Sequence, residues 1–319
     1  MSFLLTLFLA LSPRAVADPG AKAQLLEQAG PQAAVAVPPT GPERSAGFDP
    51  FEPSGIIPRG PFKGRKVDTA EKRSIHLLTP AEAAPYGPLP GERLVSNFLH
   101  RDRWWIARIP EGGVQDVIVQ DEVFRGGLGH GQLRLVMKPG RPVTLIPQVR
   151  GSTDAPVALY DFSWSAWGTA PKDLKVVVSS PRQVARSVIA GLEQFIVTYR
   201  MFSLEQSRGI LSTGGELDSV RQFRLDLPDE DKQRVLAQAI AMGSAAGMDQ
   251  MFSLATRSCV SQLFVLLDSV LDYGPVRNAA ARPFRHIPAL IPRYLKLRGL
   301  WKRGIEIQNL RDELAGPKP

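Results

Sequence analysis

Residues 131–137 read Gly-Gln-Leu-Arg-Leu-Val-Met, with Leu133, Leu135 and Met137 recurring at every second position. That is the period of a half-buried β-strand. Working outward, Trp104–Ile109 (WWIARI) and Asp116–Glu122 (DVIVQDE) are strand-like on the N-terminal side. Pro142–Pro147 and Val157–Ser163 (VALYDFS) follow on the C-terminal side. Gly126-Gly127-Leu128-Gly129 and Lys138-Pro139-Gly140-Arg141 supply turns between them. The pattern predicts an antiparallel meander, to which Val176–Val178 adds a further short strand. Beyond it the period changes. Ser180 caps and Pro181 opens a helix carried by Val184, Val188, Leu192, Phe195, Ile196 and Tyr199. Val220–Leu227 alternates as a strand. A second helix opens at Pro228–Asp231 and runs to about residue 244, its first turn acidic, so that Asp226, Asp229, Glu230 and Asp231 read as capping rather than metal binding. A third helix runs from Ser258 to Asp272. Strands first and helices afterwards predict an α+β fold, an antiparallel sheet packed against helices.

The 319 residues are 44% hydrophobic and 22% charged, ordinary values for a globular chain. Half of the 28 prolines fall in the first ninety positions, which leaves one domain of about 200–230 residues. Phe3–Leu11 (FLLTLFLAL) is too short to span a bilayer, and Ala15-Val16-Ala17 follows it as a small-x-small cleavage pattern. Residues 1–17 are therefore expected to be a signal peptide, and the protein to be exported to the periplasm or cell envelope. Residues 18–90, rich in Pro, Gly and Ala without an apolar period, are expected to form a disordered linker, in which Ile75-His76-Leu77-Leu78 is a short segment that can pack against the domain. The folded domain is then 91–275, and 276–319 a basic C-terminal helical segment. In that segment Arg282, Arg285, Arg293, Lys296, Arg298, Lys302 and Arg303 interleave with Ile287, Leu290, Ile291, Leu295, Leu297 and Leu300. The pattern suits either peripheral contact with an anionic membrane or a helix docked on the domain with its basic face in solvent. A net charge of +8 favours an anionic partner. With no zinc-finger spacing, RNP-type strand or long Lys/Arg run, nucleic acid is not expected as that partner.

The chain has one cysteine, Cys259, so an intramolecular disulfide is excluded. It follows Thr256-Arg257-Ser258, two good N-caps around a cation, and precedes the apolar Leu263, Phe264, Leu266 and Leu267. A thiol in the first turn of a helix meets unpaired backbone N–H groups and the positive end of the dipole, which favour the thiolate. A lone cysteine also serves as a small buried hydrophobe. Four histidines are available to activate it. His76 lies in the proline-rich region, His100 in a polar turn and His286 beside Arg285. His130 follows a glycine loop and leads directly into the Leu133 strand, a rigid and accessible position for a base, although an edge histidine would sit there equally well.

Gly129-His130 entering a strand, followed by the later Ser258-Cys259-Val260 at a helix start, resembles the bacterial DUF4105 family. That family is associated with the periplasmic domain of a lipoprotein N-acyltransferase. Thr198-Tyr199-Arg200-Met201-Phe202-Ser203-Leu204 is similar to a further stretch of it, and the likeness spans about residues 115–275. Ser258 stands where the family has Asn and Val260 where it has Thr, which removes a side-chain amide from the site. The order His then Cys also looks like a circularly permuted NlpC/P60 or papain-like arrangement. The resemblance implies a papain-like core and a cysteine-dependent acyltransferase or hydrolase acting on lipoprotein, lipid or cell-wall substrates. Cys259 would be the nucleophile, His130 the base and Asp161 the group that orients it, with Ser258 and Gly129 beside the substrate. No metal or other cofactor is expected. The alternative is a non-catalytic envelope binding module that retains the fold. Trp104-Trp105 and the Trp164/Trp167 pair either line an acyl or glycan groove or pack in the core.

Overall fold

The alternating segment around Leu133 forms β5 (Gly129–Met137), and its pleat sends Leu133, Leu135 and Met137 into the main apolar core. The structure, a computed structural model, describes residues 49–315 apart from 61, 71, 124–128, 150, 173–194, 214–215, 218, 254–255, 302–305 and 308. On one side β5 pairs antiparallel with β4 (Val114–Val123), Leu133 opposite Val119. On the other it pairs with β8 (Asp161–Thr169), Leu133 opposite Trp164. From β8 the sheet runs through β9 (Ile196–Ser203), β2 (Glu92–His100), β3 (Arg103–Pro110) and β6 (Val143–Pro147) to β7 (Val157–Leu159). Beyond β4 lie β12 (Val220–Arg224) and β13 (Glu306–Ile307), while β1 (His76–Leu77) pairs with β2. Between β9 and β12 in the chain come α2 (Leu204–Leu211) and a separate pair of strands, β10 (Ser212–Thr213) and β11 (Glu216–Leu217). Only β2 and β9 run parallel among these described strands. With its helices, the molecule is α+β with a mixed, largely antiparallel sheet.

The strand order departs from a meander. The segment 196–203, expected to end a helix, is β9, and it separates β8 from β2. Every residue of Ile-Val-Thr-Tyr-Arg-Met-Phe-Ser is buried, so neither face shows the alternation that would mark a strand. The rest of that helix, and Val176–Val178, lie outside the described residues. Val157–Ser163 divides at Tyr160 into β7 and β8, which sit far apart in the sheet.

Two helices cover one face of the sheet: α3 (Asp229–Ala246) and α4 (Cys259–Val270). Val235, Ala239 and Ile240 of α3 and Val260, Leu263, Phe264 and Leu267 of α4 share one apolar cluster with Leu133, Leu135, Trp164 and Met201. The Trp164 indole donates to the Ala239 carbonyl at 3.1 Å, which marks this as the helix side of β8. The other face is polar yet buried. Gln132 donates to Gln120 at 2.7 Å and Gln120 to Gln222 at 2.8 Å. Arg134 bridges Asp161 at 2.6 Å and Glu313 at 2.7 Å, the latter from α7 (Leu310–Ala315).

The disordered linker expected over 18–90 is packed on the sheet where it is described, from residue 49 onward. Ile57, Val67, Ile75, Leu78 and Ala83 are buried. Arg73 pairs with Asp49 and lies 4.9 Å over the Trp104 ring. Thr79 and Glu82 form a capping box at α1 (Pro80–Ala83). Single apolar anchors spaced by Pro and Gly pack onto a finished sheet without any period of their own. Residues 1–48, with the expected signal peptide, lie outside the described residues. The basic segment 276–319 likewise belongs to the domain rather than following it. After α5 (Gly274–Ala281) and 3-10 turns at Arg282–Phe284 and Pro288–Leu290, α6 (Ile291–Arg298) buries Ile291, Tyr294 and Leu295 in the main core. Arg298 enters with them and pairs with Asp268 at 2.7 Å. Among the described residues no helix is long and apolar enough to cross a membrane.

Candidate functional site around Cys259

Ser258 adopts an extended conformation (φ −92°, ψ 174°) and caps α4. Its hydroxyl accepts from the Ser261 N–H at 3.2 Å, and the Ser261 hydroxyl accepts from the Ser258 N–H at 2.7 Å. Cys259 is thereby the first residue of the helix. The Ser258 side chain is committed to this capping box: both polar contacts of its hydroxyl are with Ser261.

What seats α4 on the sheet is a missing side chain. A Cβ at Gly131 would lie 3.0 Å from Val260 Cγ2 and 3.3 Å from both Ile291 Cδ1 and Leu263 Cδ2. Glycine lets the start of α4 and the body of α6 close onto β5. The backbone amides of Gly131, Val260 and Cys259 itself favour its thiolate. Burial outweighs them, with the Glu122 charge adding to it, and the thiol is held above its ordinary pKa. The sequence expectation of a lowered value is therefore corrected. The amides are present, but a sulfur in a residue only 9% exposed loses more from desolvation than they return.

Gly131 faces α4, so by strand alternation His130 leaves the other face, with Gln132 and Arg134. Its Nε2 is hydrogen-bonded to Ser165 Oγ at 2.7 Å, and its ring packs 4.4 Å from that of Trp167 at a 45° tilt. Arg200 and Lys72 each lie 5.5 Å over the Trp167 ring. Burial, then the charges of Arg200 and Lys72, push His130 down to about 3, so the imidazole is neutral at neutral pH. Among the described residues no hydrogen bond joins the imidazole to the thiol. The structure brings Cys259 onto the backbone of Gly131 and holds the His130 ring with Ser165 and Trp167.

Asp161 is not the residue that orients His130. It pairs with Val136 across the β5–β8 ladder, and its carboxylate binds Arg134. His130 lies six residues along β5, about 20 Å at strand rise. Ser165 takes the orienting position. It could have been found by counting evenly back from Trp167 along β8, but a serine carries no signal until the register is known. Gly129 packs against the Glu122 carbonyl and Pro288, and the glycine loop before it lies outside the described residues. The Tyr199-Arg200 pair joins both sides of the arrangement. The Tyr199 hydroxyl donates to Gln262 of α4 at 2.7 Å and is pushed up to about 12 by burial, while Arg200 reaches the Trp167 ring on the opposite face. Trp105 and Trp164 are buried in the core, and Trp105 also lines a small pocket with Trp104, Arg103, Pro147 and Gln148. Among the described residues no three His, Cys, Asp or Glu side chains converge as a metal-binding group.

Compared with protein families, with curated proteins and with solved structures, the chain matches none.

Proposed function

We propose that this protein is a cell-envelope thiol enzyme of the DUF4105 kind, built on a papain-like, permuted NlpC/P60-like core. It would transfer or hydrolyse acyl groups held in ester or amide linkage on lipoprotein, lipid or cell-wall substrates. The observation that carries this reading is Cys259 as the first residue of α4, a helix start seated on Gly131, the residue next to His130, with the backbone amides there favouring its thiolate. Such amides stabilise a thiolate, and they serve equally for the oxyanion that forms when sulfur adds to a carbonyl. In the proposed cycle the thiol proton passes to the neutral His130 imidazole as the S–C bond forms. The C–O or C–N bond then breaks, with His130 returning the proton to the leaving group. The acyl thioester passes to an amine or to water, which regenerates the thiol. Ser165 holds the His130 ring at Nε2, and the proton transfer requires that ring to leave Ser165 and turn from the opposite face of β5 toward the sulfur.

A second reading is a binding module that keeps the fold without the chemistry. The specific observation favouring it is that the thiol is buried and held above its ordinary pKa, and that among the described residues no hydrogen bond joins it to the imidazole. Acyl trapping separates the two. With p-nitrophenyl butyrate or palmitate, the enzyme reading expects an acyl mass adduct that maps to Cys259, is released by neutral hydroxylamine and is absent from Cys259→Ala. No adduct on the wild-type chain with either ester would leave the binding module.

A further inference from the structure

Between Gly274 and Ile305 the sequence has eight Lys and Arg and no Asp or Glu. Arg298 is used internally, its side chain fully buried against Asp268. Arg277, Arg293 and Lys296 are exposed instead, and with Pro292, Leu297 and Trp301 they line an open groove of about 660 Å³ on the outer side of α6. Among the described residues none of these three cations has a carboxylate within ion-pair distance. The groove has apolar walls as well as charge. Val276, next to Arg277, is 80% exposed, and Trp301 stays half-buried with its ring 5.2 Å from Phe223.

Cations around exposed aliphatic and indole surface match the boundary of a bilayer. Phosphate groups pair with the ammonium and guanidinium heads, and apolar side chains enter the acyl margin. A nucleic-acid backbone would satisfy the charges but leave Val276 and Leu297 without a partner. We propose that the α5–α6 groove is a docking surface for an anionic phospholipid bilayer. The inner side of the same helix places Ile291 against Gly131, so docking would hold the Cys259 seat one helix diameter from the lipid. The inference rests on the groove alone and not on the thiol chemistry, and Cys259→Ala is expected to bind as the wild type does.

Flotation of the full chain with vesicles tests it, using phosphatidylcholine alone and phosphatidylcholine mixed with phosphatidylglycerol. Binding is expected only to the mixed vesicles, weakening as salt is raised. Arg277→Glu/Arg293→Glu/Lys296→Glu should bind about a hundredfold more weakly, from three lost surface attractions. Val276→Ser should weaken binding severalfold with its charges intact, and both variants should keep the wild-type circular dichroism and melting temperature. Because the N-terminal apolar run is common to all variants, its own contribution cancels. The proposal is overturned if the charge-reversed variant binds mixed vesicles as well as the wild type does. Wild-type binding to duplex DNA at matched salt, with none to vesicles, would equally overturn it.

Discussion

Gly131→Ala tests the seating on which the site depends. The added Cβ would stand 3.0 Å from Val260 Cγ2 and 3.3 Å from Leu263 Cδ2 and Ile291 Cδ1, all inside the optimum of about 3.5–4.0 Å for carbon pairs. Val260 is β-branched within a helix and has one strongly preferred rotamer, so it cannot turn aside. The strain therefore falls on α4 as a body. Overpacking of this kind costs about 1–3 kcal/mol. Replacing glycine within a strand returns about 0.5–1 kcal/mol of backbone entropy. The net expectation is a loss of about 1–2 kcal/mol, or about 2–8 °C in melting temperature for a domain of this size. Urea unfolding of the wild type, Gly131→Ala, Val260→Ala and the double variant resolves it. Val260→Ala makes room for the new methyl, so the double variant should be at least about 1 kcal/mol more stable than the sum of the singles. If Gly131→Ala unfolds with the wild type, or the two losses simply add, α4 is not seated on β5 through this contact.

Three further outcomes follow from the structure. In Gly243→Ala the new Cβ would overlap Ile75, so proteolysis should release residues 49–78 from the variant sooner than from the wild type; equal rates would mean that segment is not packed there. His130 has a folded pKa of about 3 against an ordinary value of 6.5, so the unfolded chain binds the extra proton between those values. Its contribution is complete above 6.5 and is lost as pH falls, by at most about 1.4 kcal/mol per unit. His130→Gln should flatten the pH dependence of urea unfolding between pH 6.5 and 4, and an unchanged slope would remove the claim. Asp161→Asn should lower stability by about 1 kcal/mol through the Arg134 bridge while leaving acyl capture at Cys259 within about twofold of wild type; loss of capture would restore Asp161 to the site.

The sequence announced those elements that have one buried face. The alternation of Leu133, Leu135 and Met137 and the stripe of Leu263, Phe264, Leu266 and Leu267 both survive into the structure. The segment 196–203 was illegible because it is buried on both faces, and a continuous apolar run has no period to read. Most of residues 49–90 misled for the opposite reason, since isolated anchors such as Ile57 and Val67 carry no pattern, whereas Ile75–Leu78 was legible as a short packed segment. At the site, the helix start at Cys259 followed from Thr256 and Ser258, but its electrostatics did not: composition shows the amides and the nearby arginine, not the burial that outweighs them. The partner of His130 depended on register, and a one-step alternation put Gly131 rather than His130 on the sulfur.

The central claim is that Cys259 and His130 work as one unit in acyl transfer. Steady-state hydrolysis of an acyl ester by the wild type, Cys259→Ala, His130→Ala and the double variant tests it most directly. The account predicts that each single substitution lowers kcat/KM by about a hundredfold or more, and that the double variant is no worse than either single. Turnover by all three variants within about twofold of the wild type would contradict it.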